Sequence, residues 1–166
     1  MASCKPTAKT TAADKQATSK FVSEKYGFSF SYPVGMEEVR KDLPNKWALA
    51  DKDKNTILFT INKAKTNNLM ALGRVQALRD LYKDNSTGEN VEKVKEIFNI
   101  VKLDSFNNQT WYTYGIKFSD KKVNSLISGT VCLDNEITMV MVSNYDSFED
   151  LRQKYMLILN SFGCQT

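Results

Sequence analysis

Asp51, Asp53 and Asn55 place oxygens at alternate positions, the D-x-D-x-N opening of a calcium loop, in which alternate oxygens converge on one hard cation. The pattern then stops. Thr56 stands where the tight turn of such a loop needs Gly, and Asn62 where it needs a bidentate Glu. Residues 51–55 therefore read as a polar turn between two strands, and no metal is expected. The chain has no His, which removes imidazole general bases, Ser-His-Asp and Cys-His nucleophiles, and every metal site that needs His. Its three cysteines, Cys4, Cys132 and Cys164, lie far apart without a C-x-x-C, so zinc is not expected either. The glycines stand singly rather than in a phosphate-cradling loop, so nucleotide binding has no support and no cofactor is expected. Carboxylates are plentiful, but no pair can be set across a cleft from sequence alone.

Aromatic faces bind sugars, bases and cations, which directs attention to Trp47, Trp111, Tyr112 and Tyr114. In residues 109–118 the even positions Tyr112, Tyr114, Ile116 and Phe118 form an apolar strand face, leaving Trp111 on the other side with Thr113 and Lys117. An outward Trp111 is the candidate binding surface. The commoner setting of a Trp, under a helix or loop, is the competing reading.

The elements that must position these residues follow from periodicity. Residues 26–33, YGFSFSYP, alternate Tyr26, Phe28, Phe30 and Tyr32 with small residues, a strand with one buried face ended by Pro33 and Gly35. Residues 46–50 and 56–63 predict a hairpin around the polar turn. Between Asn68 and Asp84, Leu69, Leu72, Val75, Leu78, Leu81 and Tyr82 recur at spacings of three and four, predicting an amphipathic helix capped by Asn67 or Asn68. Residues 98–103 look extended. Strands are predicted at 109–118, 124–133 and 136–144, the last two joined by the two-residue turn Asp134-Asn135, which demands antiparallel pairing. A closing helix begins at a capping Ser147 and carries Phe148, Leu151, Tyr155, Ile158, Leu159 and Phe162 on its buried stripe, with Arg152, Gln153 and Lys154 wet. The order is strands, helix, antiparallel strands, helix, which makes an α+β layered domain.

The 166 residues suit one domain, and 42% hydrophobic with 25% charged residues is a globular composition. The formal charge of +4 is uneven. Residues 1–20 contribute +3 and the rest only +1, so no basic patch lies on the domain and nucleic acid is not an expected partner. Residues 1–20 are Ala, Thr, Ser and Lys with one Pro and no apolar periodicity, and read as a flexible tether before a globular domain at 21–166.

The tether begins Met1-Ala2-Ser3-Cys4, which resembles the lipobox of bacterial lipoproteins, with Met1 in place of the usual Leu. The resemblance implies a lipid on Cys4, a membrane partner through that anchor, and a place in the bacterial cell envelope, with a signal segment encoded upstream. Setting Cys4 aside leaves Cys132 and Cys164, either as a bridge in an oxidising compartment or as two free thiols.

YGFSFSYP, the wide sheet closing on Asp134-Asn135, and the final helix ending in Leu159-Asn-Ser-Phe162 resemble the PsbP-like family. That family joins the photosystem II extrinsic protein, bacterial lipoproteins of the DcrB type and Ran-binding nuclear import factors. The resemblance spans residues 21–162 and implies an αβα sandwich, a central, mainly antiparallel sheet flanked by helices. It departs after Tyr-Pro, where family members often carry a Trp and this chain offers Met36. The expected function is a non-catalytic, lipid-anchored envelope module that binds a protein partner or stabilises an assembly. Two other readings stay open: a hydrolase or ligand-processing enzyme using carboxylates or Cys132, and a cytosolic protein-interaction module.

Overall fold

Alternation and turn chemistry resolve, among the described residues, into ten strands and two helices. The computed structural model describes residues 17–43, 45–83, 94–118, 123–144 and 146–165. In chain order they are β1 (Thr18–Ser23), β2 (Phe28–Pro33), β3 (Glu37–Leu43), β4 (Lys46–Ala50), β5 (Thr56–Lys63), α1 (Leu69–Lys83), β6 (Val94–Phe106), β7 (Gln109–Phe118), β8 (Val123–Cys132), β9 (Asn135–Asn144), α2 (Phe148–Ser161) and β10 (Gly163–Cys164). Seven strands form one sheet in the order β3-β4-β5-β9-β8-β7-β6, and β1-β2-β10 form a smaller one. All recorded pairings are antiparallel.

Register decides which residues share a face. Trp47, Phe59, Met139, Ser128, Thr113 and Lys102 stand opposite one another across β4, β5, β9, β8, β7 and β6. That side of the sheet is covered by α2 and the small sheet, and it holds the larger core, including Phe28, Phe30, Met36, Trp111 and Leu151. Rings of Phe21, Trp47, Phe59 and Phe30 stack in sequence with centroids 4.8 to 5.0 Å apart. The opposite face carries Tyr112, Tyr114, Ile116 and Ile127, packed under Leu72 and Ala77 of α1. Helices on both sides of a central antiparallel sheet make the domain an α+β, αβα sandwich, as expected.

Several expectations shift. Thr18–Lys20, assigned to the tether, form the first half of β1, pairing with Pro33, Tyr32 and Ser31. Strand pairing uses backbone groups and needs no apolar run. Residues 1–16, with Cys4, lie outside the described residues. The last hairpin turns on Leu133-Asp134 rather than Asp134-Asn135, because Cys132 pairs with Asn135 and Leu133 takes the positive φ of 52°. Asn68 does cap α1, its Oδ1 accepting from the Ala71 N–H at 3.1 Å. Ser147 stands at the N-cap of α2, but its hydroxyl makes no cap bond.

The predicted stripe of α1 is only partly the buried one. Leu69 and Leu72 face the sheet, whereas Val75 and Leu78 are 49% and 51% exposed. The helix docks instead through Gly73 and Ala77. A Cβ on Gly73 would come within 2.6 Å of Val101 and 2.8 Å of the Tyr112 ring. Close approach over large tyrosines selects the small residues.

Candidate functional site

Trp111 is not on the surface. Alternation on β7 does turn it away from Tyr112 and Tyr114, but the face it reaches is also covered, and its side chain is completely buried. Its ring meets Phe162 edge-on at 4.9 Å between centroids. The outward reading treated the sheet as having a wet side, whereas a helix covers each face. The indole N–H has no hydrogen-bond partner, so Trp111 serves as apolar bulk.

Cys132 and Cys164 form a disulfide, with Cα atoms 5.6 Å apart, joining the end of β8 to β10. Neither sulfur is a free nucleophile. The bridge holds the C-terminal strand where the Gln165 N–H donates to the Gly27 carbonyl at 2.7 Å.

In the Asp51 turn, Oδ1 accepts from the backbone N–H groups of Asp53 and Asn55, each at 3.0 Å. Oδ2 accepts from Lys154 Nζ at 2.8 Å. Lys154, expected to be wet, is therefore committed to an ion pair whose side chains are 27% and 5% exposed, Lys154 and Asp51 respectively. Burial works to raise the Asp51 pKa, but the hydrogen bonds from Lys154 and Asn55 together outweigh it and hold the carboxyl below its ordinary value. The two Asp51 oxygens that suggested a cation loop are spent on closing a turn and tying it to α2. Among the described residues no group of three or more Cys, Asp or Glu is placed to hold a metal.

The buried phenols are likewise structural. Tyr112 OH donates to Glu136 Oε1 at 3.0 Å and lies 3.3 Å from Thr138 Oγ1. Tyr114 OH donates to Asp80 Oδ2 at 2.5 Å, and Tyr155 OH to the Met139 carbonyl at 3.1 Å. Burial foremost, and for Tyr114 the neighbouring Asp80 carboxylate, push these phenols far above their ordinary pKa. At neutral pH they are fixed donors rather than acids or bases.

A concavity exists where the larger core is incomplete. Helix α2 packs chiefly on β2 and β9 and meets β6 only at its margin. The space left between α2 and the β6, β7 and β8 end of the sheet is a cavity of about 390 Å³. Its apolar wall is Phe106, Leu126, Phe148, Met156 and Leu159, with Thr113 and Ser128 hydroxyls among the lining and Lys102, Asp104 and Arg152 also lining it. Asp104 is pinned by Thr113 Oγ1 at 2.6 Å and by Lys102 Nζ at 3.3 Å, and Arg152 makes two bonds to Glu149 at 2.7 and 2.8 Å. Sequence reasoning did not find this site. Phe148 and Leu159 read as core and Arg152 as solvated surface, and no periodicity shows that α2 stops short of β6.

No protein-family model matches the sequence, and no curated protein matches it. Among solved structures, the cyanobacterial PsbP protein CyanoP from Synechocystis sp. PCC 6803 superposes with a TM-score of 0.68 at 18% identity, over 99% of this chain and 98% of that one. A protein from Bacteroides thetaiotaomicron VPI-5482 superposes with a TM-score of 0.58 at 12% identity, over 89% of this chain. The match spans 48% of the Bacteroides chain. Together with the antiparallel sheet flanked by two helices, the superposition over nearly the full length of both chains shows that this domain has a PsbP-like fold.

Proposed function

We propose that the domain is a non-catalytic accessory module, held at a bacterial envelope membrane by a lipid on Cys4, that engages a protein partner. The observation that carries the reading is the PsbP-like fold over nearly the whole chain, following a lipobox-like Met1-Ala2-Ser3-Cys4. Two features support it. The Cys132–Cys164 bridge suits an oxidising compartment, because thiols in the cytosol are kept reduced, and this disfavours the cytosolic interaction module. The same bridge occupies the one cysteine considered as a nucleophile, and the buried tyrosines and Asp51 are engaged in hydrogen bonds that position elements, which disfavours the hydrolase. Among the described residues no helix is long and apolar enough to cross a membrane, so attachment in this reading falls to the lipid. Each acyl CH₂ buried in a bilayer contributes about 0.8 kcal/mol, so several chains anchor stably.

The test is to express the gene with its native upstream sequence in a bacterium fed a labelled fatty acid. Label and membrane fractionation should both depend on Cys4 and disappear in Cys4→Ala. Label that persists in Cys4→Ala, or a wild-type protein that stays unlabelled, overturns the anchor. In situ crosslinking of the anchored form should then yield a discrete product with another protein. A domain that stays uncrosslinked overturns the partner.

A further inference from the structure

We propose that the cavity between α2 and the β6, β7 and β8 end of the sheet binds a small amphipathic molecule, an apolar body bearing one hydrogen-bond-accepting head such as a carboxylate. The site is independent of the anchor and of the protein partner. Protein interiors are packed to the density of organic crystals, and voids much larger than a water are few. A space of about 390 Å³, partly open to solvent, is accordingly a cleft between α2 and the sheet rather than an interior void. It falls at the small end of the roughly 300 to 1,000 Å³ typical of ligand pockets. At the roughly 30 Å³ that a water molecule occupies in the liquid, it holds on the order of a dozen heavy atoms. That size fits a medium-length chain or a single ring system.

The wall selects the body. Phe106, Leu126, Phe148 and Met156 are only half-buried, although all four pack against the larger core. Apolar surface left facing a hollow gains from a ligand by the usual hydrophobic term, about 25 cal/mol per Å² removed from water. Met156 adds an unbranched, polarisable side chain that adapts to the occupant.

The charged residues select the head. An ammonium carries three donors and a guanidinium five. The ion pairs to Asp104 and Glu149 use one donor of Lys102 and two of Arg152. Asp104 accepts from Thr113 through one oxygen and faces Lys102 with the other. Of the three charged lining residues two are cationic and one is anionic, so the lining favours a carboxylate over an amine.

Titrating the isotope-labelled full chain with decanoate, below its micelle concentration, and following backbone amides by NMR tests the site. Saturable shifts are expected at residues 102–106, 126–128 and 148–156. Decylamine should bind roughly tenfold or more weakly than decanoate, while Lys102→Met should narrow that difference. Leu126→Trp and Met156→Trp each fill the cavity and should weaken decanoate by roughly tenfold or more. Met156 lies on the half-exposed side of α2, so its variant reads the site even where Leu126→Trp disturbs folding. Shifts that never saturate or scatter over the surface, an amine that binds as well as the acid, or a folded Met156→Trp variant with unchanged affinity overturns the proposal.

Discussion

The indole of Trp111 meets the Phe162 ring edge-on, with centroids 4.9 Å apart and planes at 80°, so one of the largest side chains of β7 is sealed by the residue that ends α2. Trp111→Ala should cost about 3 to 5 kcal/mol, the range for truncating a fully buried large aromatic. Trp111→Phe should cost clearly less, because the indole N–H makes no hydrogen bond to lose. Urea unfolding of the two variants checks the order, and equal losses would mean that the N–H has a partner.

Acid should destabilise the protein through Asp51. Its folded pKa lies below the ordinary 3.8, so the Lys154–Asp51 contribution is complete above the unfolded value and is lost as pH falls through the folded one. Unfolding midpoints should therefore drop between roughly pH 4 and pH 2. Asp51→Asn should flatten that dependence. Lys154→Met should shrink the acid-dependent loss, because burial, the largest influence on this carboxyl, then acts with less opposition and lifts the folded value toward the unfolded one. An unchanged acid profile in Lys154→Met would dissociate the pair from stability.

Gly73 sets the distance of α1 from the sheet. In an exposed helix Gly→Ala stabilises by about 1 kcal/mol. Here the new methyl would meet Val101 at 2.6 Å and the Tyr112 side chain at 2.8 and 2.9 Å. Gly73→Ala should instead destabilise by about 1 to 3 kcal/mol through overpacking. Val75→Ala, on the half-exposed outer side of the same helix, should change stability by less than about 1 kcal/mol. Thermal unfolding of the pair distinguishes the docking face.

The Cys132–Cys164 bridge closes a loop across 32 positions. Cross-linking a loop of that length restricts the unfolded chain by about 3 to 4 kcal/mol in the chain-entropy account. Cys164→Ser should lower stability by that order. It should also speed hydrogen exchange at Gln165, whose N–H bonds the Gly27 carbonyl only while β10 stays on β2. Reductant should lower the melting temperature of the wild type and leave Cys164→Ser unmoved. Identical melting of the two proteins without reductant would show that the thiols are not bridged in solution.

Much of the fold is legible locally. Residues 46–50, 56–63 and 109–118 carry enough β-branched and aromatic content that their predicted bounds coincide with β4, β5 and β7. The closing helix buries Leu151, Tyr155, Ile158 and Leu159 because one apolar stripe on a helix must find cover. Strand β3, EEVRKDL, was not legible. It has almost no apolar alternation, and its pairing with β4 comes from backbone bonds with register shifts.

What the chain determines alone is which residues alternate and where turns fall, since both depend on neighbours within a few positions. Which faces are then covered, and by what, is a property of elements distant in sequence. Trp111 went inward because α2 and β10 lie over its side of the sheet as α1 lies over the other. Lys154 left the solvent for Asp51, 103 positions away. The cavity arises from where α2 settles on the sheet, which is decided by Phe28 and Phe30 of β2, the Ser31–Ser161 bonds across 130 positions, and Met139 beneath Tyr155. Side-chain period is local chemistry, whereas the filling of space is settled only when all layers pack at once.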